Sequence, residues 1–271
     1  MRAELDSHPG SLVKPNEDWA AATNRIAVVL DGLTAPGDLG TGCMHGVPWF
    51  VEKMGSALVA NLADDALDMR SALAASIDAT ARIHASTCDL GNPGTPSATV
   101  LALRERGEAL DWLVLADSTL LLDCTEGLEA ISDDRVAQVN QVQHEAAISS
   151  DTGTDEHEKN VSKLVEAQRL IRNTPGGYWV AGTNPEAATE ALSGSISKTL
   201  VKRAALLSDG AARLKEFDVA SWGSIMDTLE ISGPTGLISA VRDAEDSDPK
   251  GRRWPRYKKS DDATAVYLTF S

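Results

Sequence analysis

The sequence predicts an α+β sandwich, on three observations. Ile26-Ala27-Val28-Val29-Leu30 is an unbroken apolar run that stops at Asp31-Gly32, the pattern of a short strand buried on both faces. From Ser97 to Cys124, short apolar runs alternate with turn residues, which predicts strands in an antiparallel meander. Elsewhere, Ala- and Leu-rich segments with apolar residues at helical spacing fall in consecutive pairs. Strands in runs and helices in pairs point to α+β layering and not to regular βαβ units. The chain has no Gly-x-Gly-x-x-Gly or Walker pattern, so a nucleotide-binding fold gains no support.

In chain order, the strand Ile26 to Leu30 is followed by two helices, Pro48 to about Asp64 and Ala66 to about Ser86, both rich in good helix formers. Ala98 to Leu103, Trp112 to Leu115 and Leu120 to Cys124 read as strands, with Arg106-Gly107-Glu108 as the first turn. Val136 to His144 and Glu158 to Ile171 return to helical spacing, with a polar loop, Ser149 to His157, between them. Asn173-Thr-Pro-Gly-Gly is a sharp break, and Tyr178 to Ala181 reads as a further strand. Arg203 to Leu207 is a strand leading into Ser208-Asp209-Gly210. Helices near Ala211 to Lys215, Ser221 to Leu229 and Thr235 to Asp246 follow, and Thr264 to Phe270 closes the chain as a strand.

The 271 residues are enough to bury a sizeable core, and we expect one domain over 1–271. A net charge of −15 argues against a nucleic-acid partner, which would need a basic surface. The N-terminus lacks the apolar core of a secretory signal, and no stretch approaches the roughly 18 to 20 apolar residues that span a bilayer. The expectation is a cytoplasmic chain with no membrane partner. Cys43, Cys88 and Cys124 are odd in number and widely spaced, so they read as inert thiols that form neither a disulfide framework nor a zinc motif. Asn160-Val-Ser is a formal glycosylation sequon that has no meaning without secretion. The six tryptophans show no stacking-platform pattern and read as core or interface residues.

Four short acidic stretches carry the functional signal: Asn16-Glu17-Asp18, Leu30-Asp31-Gly32, Ser208-Asp209-Gly210 and Asp261-Asp262-Ala263-Thr264. Most of them border an apolar run, where a strand end would hold a carboxylate rigidly. Carboxylates gathered from distant strand ends, without Cys or His, suit hard divalent cations such as Mg2+ or Mn2+. Taken singly, each has a plain reading as a turn or a solvated approach to a strand. Their order, with Ala116-Asp117-Ser118-Thr119 between the second and third, resembles the metal-dependent protein phosphatases of the PP2C (PPM) family, of the bacterial type. Pro96-Ser97-Ala98-Thr99 resembles the Gly-x-Thr-Ala stretch that opens the central strands in that family, and the likeness runs from about Lys14 to Phe270.

The resemblance implies a four-layer α–β–β–α sandwich with two central antiparallel sheets. It implies that Asp31 bridges two Mn2+ or Mg2+ ions and that Gly32 lends its carbonyl. Glu17 and Asp18 would hold the second ion, Asp209 and Asp261 the first, and Asp117 a third, weaker one. The implied reaction is hydrolysis of phosphoserine or phosphothreonine monoesters in a protein substrate, by in-line attack of a metal-bridging hydroxide. The segment from about Val139 to Gly177 occupies the place of the variable flap over the metals, or is a plain helical excursion.

The chain departs from the family in places. Where the family carries a phosphate-gripping Arg, four residues before the acidic pair, this chain has Val13, and Lys14 is the adjacent cation that would replace it, as a point charge and not a fork. Leu33 follows the Asp-Gly, so the His general acid of some relatives is excluded from that position; His45 nearby reads as a surface or structural residue. The cluster Gly251-Arg-Arg-Trp-Pro-Arg-Tyr-Lys-Lys either attracts phosphorylated substrate or balances local acids. Asp151 to Glu158 lacks the spacing of a calcium loop. These departures leave a rival expectation, a catalytically weak or inactive regulatory module on the same fold. A haloacid-dehalogenase reading fails, because its nucleophilic Asp would fall at Val29.

Overall fold

The computed structural model describes residues 1–33 and 40–270. Its strands are β1 (Arg2–His8), β2 (Trp19–Ala22), β3 (Ile26–Leu30), β4 (Val100–Arg106), β5 (Ala109–Leu115), β6 (Thr119–Cys124), β7 (Gly127–Ile131), β8 (Leu192–Ser197), β9 (Val201–Leu207) and β10 (Ala263–Thr269). The helices are α1 (Gly46–Leu62), α2 (Met69–His84), α3 (Arg135–Gln138), α4 (Gln141–Ile148), α5 (Asp155–Ile171), α6 (Asp209–Glu216) and α7 (Trp222–Ser247). Two five-stranded antiparallel sheets form, in the orders β1-β10-β9-β6-β7 and β2-β3-β4-β5-β8.

Alternation along the strands explains the layers. In β3, Ala27 and Val29 face the other sheet and meet Leu120, Leu122, Leu206 and Val266, while Ile26, Val28 and Leu30 face α1 and α2 and meet Phe50, Met54 and Leu73. In β9 and β10, Ala205, Leu207 and Ala265 face α6 and α7 and meet Leu214, Ile225 and Leu229. Both faces of each central strand are buried, which is why β3 reads as an unbroken apolar run. The α–β–β–α arrangement is the one expected.

Several local expectations change. The stretch 98–124 is not one meander: β4 and β5 pair in one sheet, whereas β6 pairs β7 and β9 in the other. The chain crosses between sheets at Ala116, whose φ of 70° is a left-handed conformation that an alanine adopts at a cost of about 1 kcal/mol. Tyr178 to Ala181 is not a strand; it makes only the isolated bridges Arg172↔Tyr178 and Ala98↔Ala181. The polar stretch before α5 is shorter than expected, because Thr154 caps the helix by accepting from the His157 amide. Strands β1, β2, β7 and β8 carry exposed or short apolar patterns and escape the periodicity signal. The two helices expected across 221–246 are present as α7 interrupted at Gly233, where φ is 67° and Pro234 follows.

At the start of α6, a Cβ on Gly210 would overlap the backbone carbonyl of Asp262. Gly210→Ala is therefore expected to destabilise the protein by about 1–3 kcal/mol, read as a lower urea midpoint at unchanged slope. A midpoint equal to that of the wild type would contradict this packing.

Candidate metal centre

Strand register gathers the acidic stretches at one shared edge of the two sheets. Trp19 pairs with Leu30, so Asp18, just before β2, and Asp31, just after β3, emerge side by side. Leu207 pairs with both Ala265 and Thr119, so Asp209 follows β9 next to Asp261-Asp262 before β10 and Asp117 before β6. A hydroxyl pair, Thr99 with Ser118, joins the two sheets there. The Asp31 amide donates to Thr99 Oγ1 at 3.3 Å, and the Thr99 and Ser118 hydroxyls bond at 2.6 Å.

Glycine and one carboxylate make this convergence possible. Gly32 N–H donates to the Glu17 carbonyl at 3.1 Å, and a Cβ on Gly32 would overlap both that carbonyl and Val47. The glycine of the Asp-Gly pair thus lets the first two acidic stretches touch, a role separate from lending a carbonyl to an ion. The Asp262 carboxylate accepts from Gly10 N–H and from Glu17 N–H, both at 2.7 Å, and so ties the N-terminal acidic pair to β10. Thr264 Oγ1 bonds Ser7 Oγ, which accepts from Asn16 Nδ2, and Asn16 Oδ1 accepts from Asp18 N–H.

The electrostatics follow from crowding. Asp18 is 8% exposed, and neither carboxylate oxygen has a hydrogen-bond partner. Burial pushes its carboxyl up to about 8; nearby Thr264 and Ser208 hydroxyls oppose the shift without a well-formed bond, and the Asp209 and Asp261 charges add to it. Asp31 is raised well above the carboxylate range, by burial first and then by Asp209, Asp18, Asp261 and Asp117. Asp209 is raised by burial and by Asp261, against Arg213 and Lys258. Asp117 opens to water, yet the surrounding protein, then Asp209, Asp133 and Asp261, push it up as well. Asp261 goes the other way. Burial would raise it, but Lys258, at 2.7 Å from Oδ1, and Arg213, at 3.3 Å from Oδ2, hold it below the usual range.

Arg213 is itself part of a buried network. Glu245, fully buried, takes Arg213 at 3.2 Å and Arg242 at 2.7 Å, and Arg242 also donates to the Asp261 carbonyl at 2.7 Å. The carboxylates line a cup and do not close on one point: among the described residues, only a Cys–His set brings three or more ligand atoms within 4.8 Å of one another. A pair of unpartnered buried oxygens among mutually repelling, all-oxygen donors fits hard divalent cations. Asp18, Asp31, Asp117, Asp209 and Asp261 are the side chains that could hold them, with Glu17 and Gly32 adjacent to Asp18 and Asp31 in the chain.

Other expectations fare differently. Val13 is 91% exposed and Lys14 is exposed beside it; among the described residues no hydrogen bond or ion pair to the Lys14 ammonium is found. The basic cluster is spent on local acids: Arg252 binds Asp151, Arg256 binds Asp248, Lys258 binds Asp261 and Lys259 binds Asp246. Arg253 lies over Trp254, which stacks on Phe217. Glu216, on the turn of α6 beyond Arg213, joins the acidic field and is pushed up to about 7 by its surroundings and by Asp209. It lacks any sequence signal beyond its helical spacing of seven from Asp209. The reading of the thiols as isolated is corrected. Cys124 does sit in the inter-sheet core, but Cys43 and Cys88 meet His45 and His84, because the C-terminal turn of α2 folds back on the start of α1.

No family model and no curated protein matches the sequence. Solved structures do match in fold. The Mycobacterium tuberculosis serine/threonine phosphatase PstP/Ppp is 18% identical, with a TM-score of 0.61 over 100% of this chain and 98% of its own. The catalytic domain of PstP in complex with two manganese ions gives 18% identity and a TM-score of 0.56, over 98% of this chain and 96% of its own. PppA, a regulatory component of the type VI secretion system in Pseudomonas aeruginosa, gives 19% and 0.59 over 99% of this chain and 97% of its own. The fold is that of the PP2C-type serine/threonine phosphatases.

Asp18, Asp31 and Asp209 hold protons more tightly in the folded than in the unfolded chain. Stability of the metal-free protein from these groups is therefore present at low pH and lost as pH rises from about 4 toward the folded values. Asp261, held low, acts oppositely, but its window closes below the ordinary carboxylate value of 3.8. In EDTA, the thermal midpoint is expected to fall between pH 5 and pH 8, and Mn2+ to raise it most at pH 8. A midpoint in EDTA that climbs over that interval would contradict the buried acidic cup.

Proposed function

We propose that the chain is a metal-dependent phosphatase acting on phosphoserine and phosphothreonine monoesters of a protein substrate. One observation carries this reading: carboxylates from distant strand ends, buried at Asp18 and half-buried at Asp31, Asp209 and Asp261, line one sheet edge, and Asp18 has no protein partner for either oxygen. The shared fold with serine/threonine phosphatases supports it.

In this reading Asp31 is the central ligand, since Asp18, Asp117, Asp209 and Asp261 all bear on it. Asp18 and Glu17 would serve one Mn2+ or Mg2+ ion, Asp209 and Asp261 another, and Asp117 a third. Divalent cations held there supply Lewis-acid activation of water and neutralise charge on a phosphoryl group. The protein's own part is positional. Asp262 and Gly32 fix the Glu17-Asp18 segment against Asp31, and Arg213, anchored by Glu245, orients Asp261. Lys14, at the exposed rim, is the cation proposed to meet the substrate phosphate. The leaving alkoxide takes its proton from a source other than residue 33, which is Leu.

A non-catalytic binding module is the second reading, favoured by Val13 in place of a phosphate-gripping Arg and by the Lys258 ammonium on Asp261. Hydrolysis of p-nitrophenyl phosphate and of a phosphothreonine peptide separates the two. Mn2+-dependent turnover that is abolished by EDTA and reduced at least about 100-fold by Asp31→Ala is expected, since even residues that only orient ligands cost 10–100-fold. A wild-type protein that binds Mn2+ and hydrolyses neither substrate would establish the binding module instead.

A further inference from the structure

Outside the acidic cup, four soft donors meet in one place. Cys43 Sγ lies 3.2 Å from Cys88 Sγ and 3.6 Å from both His45 Nδ1 and His84 Nδ1; Cys88 Sγ lies 3.3 Å from His45 Nδ1. All four ligand atoms fall within 4.8 Å of one another, and both thiols are free. We propose that Cys43, His45, His84 and Cys88 form a structural zinc site that clips the start of α1 to the end of α2.

The geometry carries the assignment. A tetrahedral ion with Zn–S of about 2.3 Å and Zn–N of about 2.0 Å separates its ligand atoms by roughly 3.3–3.8 Å. The Cys–His separations of 3.3 and 3.6 Å already suit such an ion, and the two sulfurs, 3.2 Å apart, would part by roughly 0.5 Å. Two sulfurs and two imidazoles are a zinc set, unlike the all-oxygen cup, which suits Mg2+ or Mn2+. His84 and Cys88 are one helical turn apart, and the Cys88 N–H donates to the His84 carbonyl at 3.0 Å. Cys43 and His45 lead into α1, and the Asp89 amide already binds the Gly42 carbonyl at 2.8 Å, so the two ligand pairs are in register before any ion arrives.

Burial pushes the Cys43 thiol up, and backbone donors oppose it. Backbone N–H groups of His45 and Gly46 face Cys43, and that of Met44 faces Cys88. His84 is buried, its Nδ1 contacts Cys43, and its Nε2 has no partner. Burying an imidazole with one nitrogen unsatisfied is costly, and ligation through Nδ1 offsets that cost. Trp49 stacks on the His45 ring at 4.1 Å and tilts against His84 at 5.2 Å, which walls the site from the core of α1 and α2. A zinc ion here would fix residues 43–45 at the entry to α1 against the end of α2.

The test is metal content and cobalt spectroscopy on the reduced full chain, for wild type, Asp31→Asn and Cys88→Ser. We expect about one zinc per chain after dialysis against dilute EDTA. We expect Co2+ to give a thiolate charge-transfer band together with quenching of Trp49 fluorescence. Asp31→Asn should keep both signals, because it disturbs only the oxygen site, and Cys88→Ser should lower zinc affinity at least tenfold. If Cys88→Ser does not fold, the wild-type and Asp31→Asn spectra still decide. Folded, reduced wild type that retains no zinc and gives no thiolate–cobalt band overturns the proposal. So does a Cys43–Cys88 disulfide in protein prepared with zinc and without reductant.

Discussion

Like charges held close in a poorly hydrated cup are the constraint on which this structure turns. Asp18, Asp31, Asp209 and Asp261 come from four separate chain segments, and the Asp209 and Asp261 charges raise the free energy of ionising Asp18 and Asp31. Nothing in the carboxylates themselves favours the meeting, so the rest of the molecule must impose it. Two features do so. Close backbone approaches at Gly32 and Gly210 leave no room for a side chain, and strand register fixes where each segment ends. The two five-stranded sheets are stiff because they are packed on both faces, and their common edge is therefore a rigid frame for groups that repel.

The frame also apportions charge unevenly. Asp261 is supplied with cations from within the protein, through Lys258 and the Arg213–Glu245–Arg242 network. Asp18 is supplied with none: its oxygens face inward with no donor. A site that neutralises one acid internally and leaves another bare would suit an external cation on the bare side. Asp262 contributes without facing the cup, since both its oxygens are used to hold the backbone at Gly10 and Glu17. Its value lies in positioning the acidic pair, and the four-residue motif Asp261 to Thr264 thus splits into a site residue, a latch and an anchor to Ser7.

Much of this was legible in the sequence because the strongest elements carry strong patterns. The unbroken apolar run of β3, the helical spacing of α1 and α2 and the acidic stretches at strand ends all survive into the structure. What was illegible depends on contacts between distant segments. Strands β1 and β8 are edge strands with polar, exposed residues, and only their partners define them. The crossing between sheets at Ala116 is set by one backbone angle that an alanine does not advertise. The Cys–His cluster joins residues on either side of two helices, with spacings of one and three residues between ligands and 38 between pairs. Only the antiparallel packing of α1 on α2 brings them together. Glu216 likewise enters the acidic field through the fold.

The proposed function stands on a divalent cation bound at the carboxylate edge. Anomalous diffraction at the manganese edge, from crystals grown or soaked in MnCl2, tests it most directly. At least two peaks are expected within ligand distance of the side chains of Asp18, Asp31, Asp209 and Asp261. A well-ordered cup with no anomalous peak at saturating Mn2+, its acids paired instead with Lys258 and Arg213, would contradict it.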